Sequence, residues 1–324
     1  MRVSVVVTVL NEAGSLVRLL DSLSAQSRFP DEVVICDGGS TDGTLQLLEG
    51  ECRLPLHVIQ RSGANISQGR NAAIGAAVGA IIAVTDAGVR LSPQWLERIV
   101  APFEDASVQA VAGFFAPDPQ TVFELAMGAT VLPEVGEIDP VHFDPSSRSV
   151  AFRKSAWEEV GGYPEWLDYC EDLILDFRMR DRFGPFFFVP GALVRFRPRP
   201  DLRAFFLQYY RYARGDGKAD LWRKRHAIRY LTYLVAGPLI GLAGAVVSPW
   251  WWALYLVAIP GMFLTGWRRL ERMWGDLTFP ERVQAALWVP VIRVTGDVAK
   301  MLGYPAGWWW RLRNRAQAAD WRRK

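Results

Sequence analysis

Val3–Leu10 is an almost unbroken apolar run, the pattern of a central strand covered on both faces. From Glu12 to Ala25 the spacing changes, and Leu16, Leu19, Leu20 and Leu23 recur on one side of a helix. The two periods then alternate. The pattern predicts strands at Glu32–Cys36, Leu56–Gln60, Ala80–Thr85 and Gln109–Phe115, and helices at Asp42–Glu51, Ile66–Val78 and Pro93–Ala101. Strand and helix in turn, with short connections, predict a doubly wound α/β sheet whose ligands sit beyond the C-terminal strand ends. Polar residues gather at those ends: Asn11-Glu12 after the first strand, Asp37-Gly38-Gly39-Ser40 after the second, and Asp86-Ala87-Gly88 after the fourth.

Between Pro117 and Pro145 the alternation loosens around a single helical stretch, Val122–Val131. Order returns with a strand at Ser149–Phe152 and helices at Lys154–Val160, Ile174–Arg182 and Leu202–Ala213, with the apolar Phe186–Val189 between the last two. After the basic cluster Arg223-Lys224-Arg225-His226 come two uncharged stretches, Tyr230–Ser248 and Trp250–Trp267. Each is near the lower end of the roughly 17–25 residues that cross a bilayer. With Pro249 at the turn, Trp250-Trp251-Trp252 at an interface, and Arg268, Arg269 and Arg272 on the far flank, they predict a transmembrane hairpin with both ends in the cytoplasm. A buried helical hairpin is the alternative. Ala285–Leu302 mixes an apolar stripe with Arg293, Asp297 and Lys300, which predicts an interfacial helix and leaves a third crossing open. Trp308-Trp309-Trp310 with Arg311 and Arg313 adds a second aromatic and basic contact for anionic lipid.

Charge sharpens this division. The net charge of +3 conceals a faintly acidic front and a back, 268–324, with 12 Lys/Arg against 5 Asp/Glu; most of the 14 tryptophans lie at or beyond Trp222. An enzyme or binding head on a membrane module is expected, with no nucleic-acid partner. Cys36, Cys52 and Cys170 have no metal-ligand spacing and read as thiols of a reducing compartment. The start MRVSVVVTVL is too short an apolar run for a signal peptide, so the expected location is the inner membrane, multi-pass, with the head in the cytoplasm.

Five constellations carry candidate chemistry. Asp37–Thr44 is dense in turn formers directly after a strand; it serves either a ligand approached by backbone or a helix start capped by Thr41 or Asp42. Arg61 and Gly69-Arg70-Asn71 offer cationic donors suited to diphosphate oxygens, and neither a dinucleotide fingerprint nor a GxxxxGK[ST] phosphate loop is present. Asp86 is a lone carboxylate at a strand end, able to hold a hard cation or to cap a turn. Glu171-Asp172 opens an amphipathic helix, where acids are also favoured by the helix dipole. Tyr163–Leu167 before it reads as an aromatic surface for a sugar. Gln208, Arg211 and Tyr212 share one helical face, as a polar and stacking platform or as packing.

Taken together these segments resemble the inverting glycosyltransferases of family 2, with the GT-A fold, over residues 1 to about 217. The resemblance implies that Leu10, Asn11, Glu12 and Asp37 meet the nucleotide base, and that Gly69-Arg70-Asn71 leads to the metal motif at Asp86. It implies further that Glu171-Asp172 is the family's acidic pair with Asp172 as base, and that Gln208, Arg211 and Tyr212 match its Q-x-x-R-W segment. Two positions depart. Gly88 stands where the D-x-D motif has its second acid, so Asp86 serves alone with the phosphates, or Asp144 or His142 helps, or metal dependence is weak. Tyr212 stands for Trp. Ser146–Arg153 resembles the acceptor-side strand, with Arg148 an uncommon addition suited to an acidic or phosphorylated substrate.

The expected architecture is therefore a mixed-sheet GT-A domain at 1–222, with a donor half at 1–115 and an acceptor half at 116–222, followed by a membrane module at 223–324. The expected activity is inverting hexosyl transfer from a nucleotide sugar, UDP-linked by preference, aided by Mg²⁺ or Mn²⁺. The acceptor is a lipid-linked or glycan molecule of cell-envelope polysaccharide synthesis, with membrane lipids as further partners. The alternatives are a nucleotide-sugar-binding scaffold without turnover and a processive synthase.

Overall fold

The computed structural model describes residues 1–275 and 277–315; residues 316–324, the end of the expected membrane module, lie outside the described residues. The chain forms two compact units, Met1–Ala116 with Glu134–Arg197, and Pro117–Pro133 with Pro198–Lys324.

The first unit is built on eight strands: β1 (Val3–Val9), β2 (Glu32–Asp37), β3 (Leu56–Gln60), β4 (Ile81–Val84), β5 (Val89–Leu91), β6 (Ala110–Pro117), β7 (Val150–Arg153) and β8 (Phe187–Phe196). Their order is β3-β2-β1-β4-β7-β6-β8-β5. β1 to β4 run parallel, whereas β7 pairs antiparallel with β4 and with β6, and β5 antiparallel with β8. The alternation predicted a doubly wound sheet; insertion of β7 between β4 and β6 makes it mixed. Helices α1 (Ala13–Ser24), α2 (Thr44–Glu49), α3 (Ile66–Ala76) and α4 (Trp95–Val100) fall where the periodicity predicts them.

Alternate residues of β1 feed two apolar layers. Val3, Val5, Val7 and Val9 pack with Leu16, Leu19 and Leu23 of α1 and with Trp95, while Val6 packs with Ala73 and Ile74 of α3. Burial on both faces is why β1 shows no polar alternation. The parallel register pairs Val9 with Asp37 and Val6 with Val84, so the polar ends of β1, β2 and β4 emerge along one edge.

The second unit is helical. α5 (Val122–Val131) belongs to it, whereas α6 (Lys154–Glu159) and α7 (Glu171–Phe183) belong to the first; α8 (Leu202–Ala219), α9 (Arg223–Val246), α10 (Ala253–Arg272) and α11 (Phe279–Arg313) complete it. α11 lies against α8 through small residues. A Cβ at Gly303 would stand 2.2 Å from the Tyr210 carbonyl oxygen, and one at Gly307 would stand 2.0 Å from that of Arg214, so only glycine permits this approach.

The expected multi-pass hairpin is not what the structure contains. Among the described residues only α9 is long and apolar enough to cross a membrane, and only 6 % of its apolar window is buried, so it is no core helix. The second uncharged stretch fails because its tryptophans wind a short 3₁₀ turn at Pro249–Trp252 and α10 starts only at Ala253. Its uncharged part, 253–267, gives about 22 Å of helix, short of a hydrocarbon core of about 30 Å. The expected interfacial segment is part of the longer α11, which buries Ala285, Val289, Ile292 and Ala299 in the helical unit.

Candidate active site

The ends of β1 and β2 are stitched to each other. Asn11, at φ 56°, donates from its backbone to Ser40 Oγ (2.8 Å) and accepts from Thr41 N at Oδ1 (2.9 Å). Glu12 N donates to Thr44 Oγ1 (2.9 Å) and Ala13 N to Asp42 Oδ2 (3.1 Å). Asp37 is fully buried, and its Oδ2 accepts from Gly39 N (2.9 Å) and Ser40 N (3.0 Å), an Asx-type turn that shapes the loop. Leu10 is exposed at the rim. The residue that caps α2 is Gly43, not Thr41 or Asp42, although Asp42 Oδ1 accepts from Thr44 N (3.1 Å) in its first turn.

α3 reaches the same edge by close packing. A Cβ on Gly69 would lie 3.1 Å from Thr8 Cγ2, so glycine lets the helix settle onto β1. The next residue, Arg70, is 2 % exposed and forks, with one terminal nitrogen 2.9 Å from Asp86 Oδ1 and the other 2.5 Å from Glu171 Oε1. Its guanidinium also lies 5.3 Å from the Tyr163 ring centroid. Tyr163 is itself buried, with its hydroxyl 3.0 Å from Ser147 Oγ, so the expected sugar-facing surface at 163–167 is corrected: its first aromatic supports Arg70 from beneath.

Sequence reasoning missed how α3 fixes the segment leading to α7. Asn71 donates to the Tyr163 carbonyl (2.9 Å) and accepts from Tyr163 N (2.9 Å), Asn65 Nδ2 donates to the Glu165 carbonyl (2.7 Å), and Ser67 Oγ donates to the Leu167 carbonyl (2.9 Å). These clamps lie about a hundred residues apart in sequence, beyond any local pattern. The segment ends at Cys170, a non-glycine residue at φ 64°, immediately before Glu171 and Asp172. Held backbone strain of this kind is common at functional sites.

Glu171 is buried and Asp172 half-buried at the first turn of α7. Burial, then the neighbouring Asp172 charge, raise the Glu171 carboxyl to about 7, against the pull of Arg70. Burial raises Asp172 above its ordinary range, opposed chiefly by Arg70. One turn on, Asp176 is buried, its Oδ2 has no hydrogen-bond partner among the described residues, and burial with the Asp172 charge raises it well above the usual carboxylate value. The spacing of Asp172 and Asp176, four residues apart on one helix, was the available signal. A carboxyl raised on folding stabilises the fold while protonated and loses that contribution as pH rises through its folded value. Asp176→Asn is therefore expected to raise the melting temperature more at about pH 8 than at about pH 5. Equal shifts at both, read by thermal denaturation, would speak against a buried protonated Asp176.

Asp86 Oδ2 also faces Arg148, whose Nε is 3.7 Å away. Arg148 is set by the Thr85 hydroxyl bonding its carbonyl (2.8 Å), by Ser146 Oγ (3.1 Å) and by the Phe196 ring (4.5 Å to the centroid). The first unit thus gathers Arg70, Asp86, Arg148, Glu171 and Asp172. Gln208, Arg211 and Tyr212 lie on α8 of the second unit, where Gln208 Nε2 donates to the Tyr212 hydroxyl (2.9 Å).

The residues suit a divalent cation only as part of its shell. Asp86 gives one hard oxygen at a partly open position, and a Cβ on Gly88 would meet nothing within 4 Å, which leaves room beside it. Asp144 is paired with Arg180 and the exposed His142 with Asp139, and among the described residues no three His, Cys, Asp or Glu form a metal-holding group. Phosphate oxygens and water would have to complete the coordination.

Residues 4–156 match the family model described as glycosyl transferase family 2. Succinoglycan biosynthesis protein ExoA of Rhizobium meliloti is 27 % identical over 274 residues, 79 % of this chain and 81 % of that protein. The O-antigen chain rhamnosyltransferase RfbN of Salmonella typhimurium is 23 % identical over 223 residues, 64 % and 71 %. The chain is a glycosyltransferase. The fold of this glycosyltransferase is similar to that of the mannosyltransferase PcManGT from Pyrobaculum calidifontis, solved with GDP-Man and Mn²⁺, at TM-score 0.61 and 21 % identity, covering 93 % of this chain and 87 % of that one. The mixed sheet of the enzyme is accordingly a GT-A sheet, and the Arg70 fork stands at the strand edge where that architecture receives ligands.

Proposed function

We propose that the enzyme transfers a sugar from a nucleoside-diphosphate donor, UDP-linked by preference, to a hydroxyl or phosphate of a lipid-linked or glycan acceptor, with inversion. The observation that carries this reading is the Arg70 fork, which ties the strand-end Asp86 to Glu171 beside Asp172. Asp172 takes the proton of the acceptor hydroxyl as that oxygen bonds to the anomeric carbon; the bond from that carbon to the diphosphate breaks, and its electrons leave with the nucleoside diphosphate. Arg70 and Arg148 stabilise the charge of the departing diphosphate. A divalent cation such as Mg²⁺ or Mn²⁺, held at Asp86, would add positive charge there.

In this reading residues 1–115 form the donor half and 116–222 the acceptor half, with 223–324 as the part that meets lipid. Leu10, Asn11 and Glu12 border the nucleotide base with Asp37, whose Oδ1 keeps only a long 3.3 Å contact of its own. Gly69 sets the depth of Arg70. The related ExoA and RfbN carry names from succinoglycan and O-antigen synthesis, which favours a cell-envelope polysaccharide role. The exposed α9 supports contact with membrane lipid.

Incubation of the full chain with a panel of nucleotide sugars and bacterial membrane lipid extract is expected to give one donor-specific glycolipid product. Absence of product and of nucleotide-sugar hydrolysis across the panel would reject the reading. Removal of Arg148 has its own signature. Loss of charge-assisted contacts to phosphate costs about 1.5–3 kcal/mol, so Arg148→Ala is expected to weaken UDP binding by about ten- to a hundredfold. The loss is expected to be larger in EDTA than with Mn²⁺, because Arg148 and the cation serve the same diphosphate. Gly88→Asp, for which neither φ nor space is an obstacle, is expected to retain Mn²⁺ more tightly. Calorimetry with UDP, with and without metal, checks both; unchanged UDP affinity in Arg148→Ala removes Arg148 from the donor site.

A further inference from the structure

The proposed donor site sets two positive charges against one acid. Asp86 presents Oδ1 to Arg70 at 2.9 Å and Oδ2 to Arg148 Nε at 3.7 Å, so each of its oxygens already faces a guanidinium. The two contacts differ in kind. Arg70 is buried and hydrogen-bonded, whereas the Arg148 contact is longer than a hydrogen bond and acts through charge.

Arg148 is also held by contacts that do not involve the Asp86 carboxylate. The hydroxyl of Thr85, one residue before Asp86, donates to its carbonyl; Ser146 Oγ accepts from Nη1, and the guanidinium lies over the Phe196 ring. The Arg148 side chain keeps 23 % of its surface open and that of Asp86 29 %, so a ligand can reach both. A guanidinium is charged at every working pH, and its planar fork suits phosphate oxygens.

A dication at Asp86 would meet two guanidinium charges and share one carboxylate with them. The other acids of the site give it little help. Glu171 is paired with Arg70, Asp144 with Arg180, and Gly88 brings no carboxylate. Asp172 is half-buried and, in the proposed reaction, stays free for the acceptor proton. Mg²⁺ in particular gives up its water reluctantly, so one shared oxygen holds it poorly.

We propose that Arg148 competes with a divalent cation for Asp86 and supplies the charge such a cation would bring, so that donor binding needs no metal. This deepens the proposed function and rests on its donor site; the cation of that reading becomes an accessory. UDP that binds with metal-dependent affinity rejects this inference alone. UDP that does not bind at all rejects the donor reading and the inference with it.

The full chain, solubilised in a nonionic maltoside, is titrated calorimetrically with UDP in EDTA and in Mn²⁺, and electron paramagnetic resonance reads Mn²⁺ binding to the UDP complex. Wild-type UDP affinity is expected to agree within about twofold between the two conditions. In Arg148→Gln, Mn²⁺ is expected to raise UDP affinity about tenfold over EDTA, and to bind the UDP complex about tenfold tighter than in wild type. Arg148→Lys keeps the charge and is expected to behave as wild type. So is Arg53→Ala, which removes an exposed charge in the loop before β3. A fall of about tenfold in wild-type UDP affinity in EDTA overturns the proposal. A folded Arg148→Gln that gains nothing from Mn²⁺ overturns it too, as does an equal gain in Arg53→Ala or a metal dependence in Arg148→Lys matching that of Arg148→Gln.

Discussion

Replacing Asp172 by Asn is expected to lower sugar transfer by about two or more orders of magnitude while donor binding changes little. A general base acts only as the proton moves, so its loss appears in turnover and not in affinity. Asn keeps the shape and an acceptor oxygen, and the contact from Leu173 N to Asp172 Oδ1 (2.9 Å) survives it. A merely capping Asp172 predicts the reverse: a stability loss of about 1 kcal/mol with turnover intact. The pH profile adds an independent check. Because burial raises both acids of the pair, with Glu171 at about 7, the basic form is lost at a higher pH than for an ordinary carboxylate. The acid limb of kcat/KM is therefore expected well above the usual range near about 4. A limb at that ordinary value would argue that neither acid of the pair works as buried.

The second large effect is on stability. Arg70→Ala is expected to cost about 3–5 kcal/mol, because it leaves Glu171 buried and Asp86 partly buried without the cation that joins them. For a chain of this size that is a fall of roughly 10 °C in melting temperature. Arg70→Lys keeps the charge but not the fork, and a single ammonium cannot repeat two contacts set by a planar group. An intermediate loss is expected for Lys. Thermal and urea denaturation decide it, and a melting temperature unchanged in Arg70→Ala would mean that the network does not hold the site together.

What could be read from the sequence was local. Val3–Val9 and the leucines of α1 announce themselves by period, and Asn11-Glu12, Asp37 and Asp86 by their place at strand ends. The strand order could not be read, since nothing in Val150–Arg153 shows that it enters between β4 and β6 in the opposite sense. β5 has three residues and hides among turn formers. Tyr163 looked like a surface aromatic because it follows two glycines and precedes a proline, as loop residues do, yet Arg70, ninety-three residues earlier, lies over its ring. The hairpin expectation failed on geometry: hydropathy counts Trp250–Trp252 toward a span, but those residues wind a 3₁₀ turn and shorten the helix that follows. The glycines of α11 acquire meaning only against α8.

The stereochemistry of transfer tests the central claim most directly. With the donor that turns over, the anomeric configuration of the first product is read by proton NMR before any exchange. Single displacement with Asp172 as base predicts a product whose anomeric centre is opposite to that of the donor, and its formation is nearly abolished in Asp172→Asn. A product that keeps the donor configuration would contradict the account.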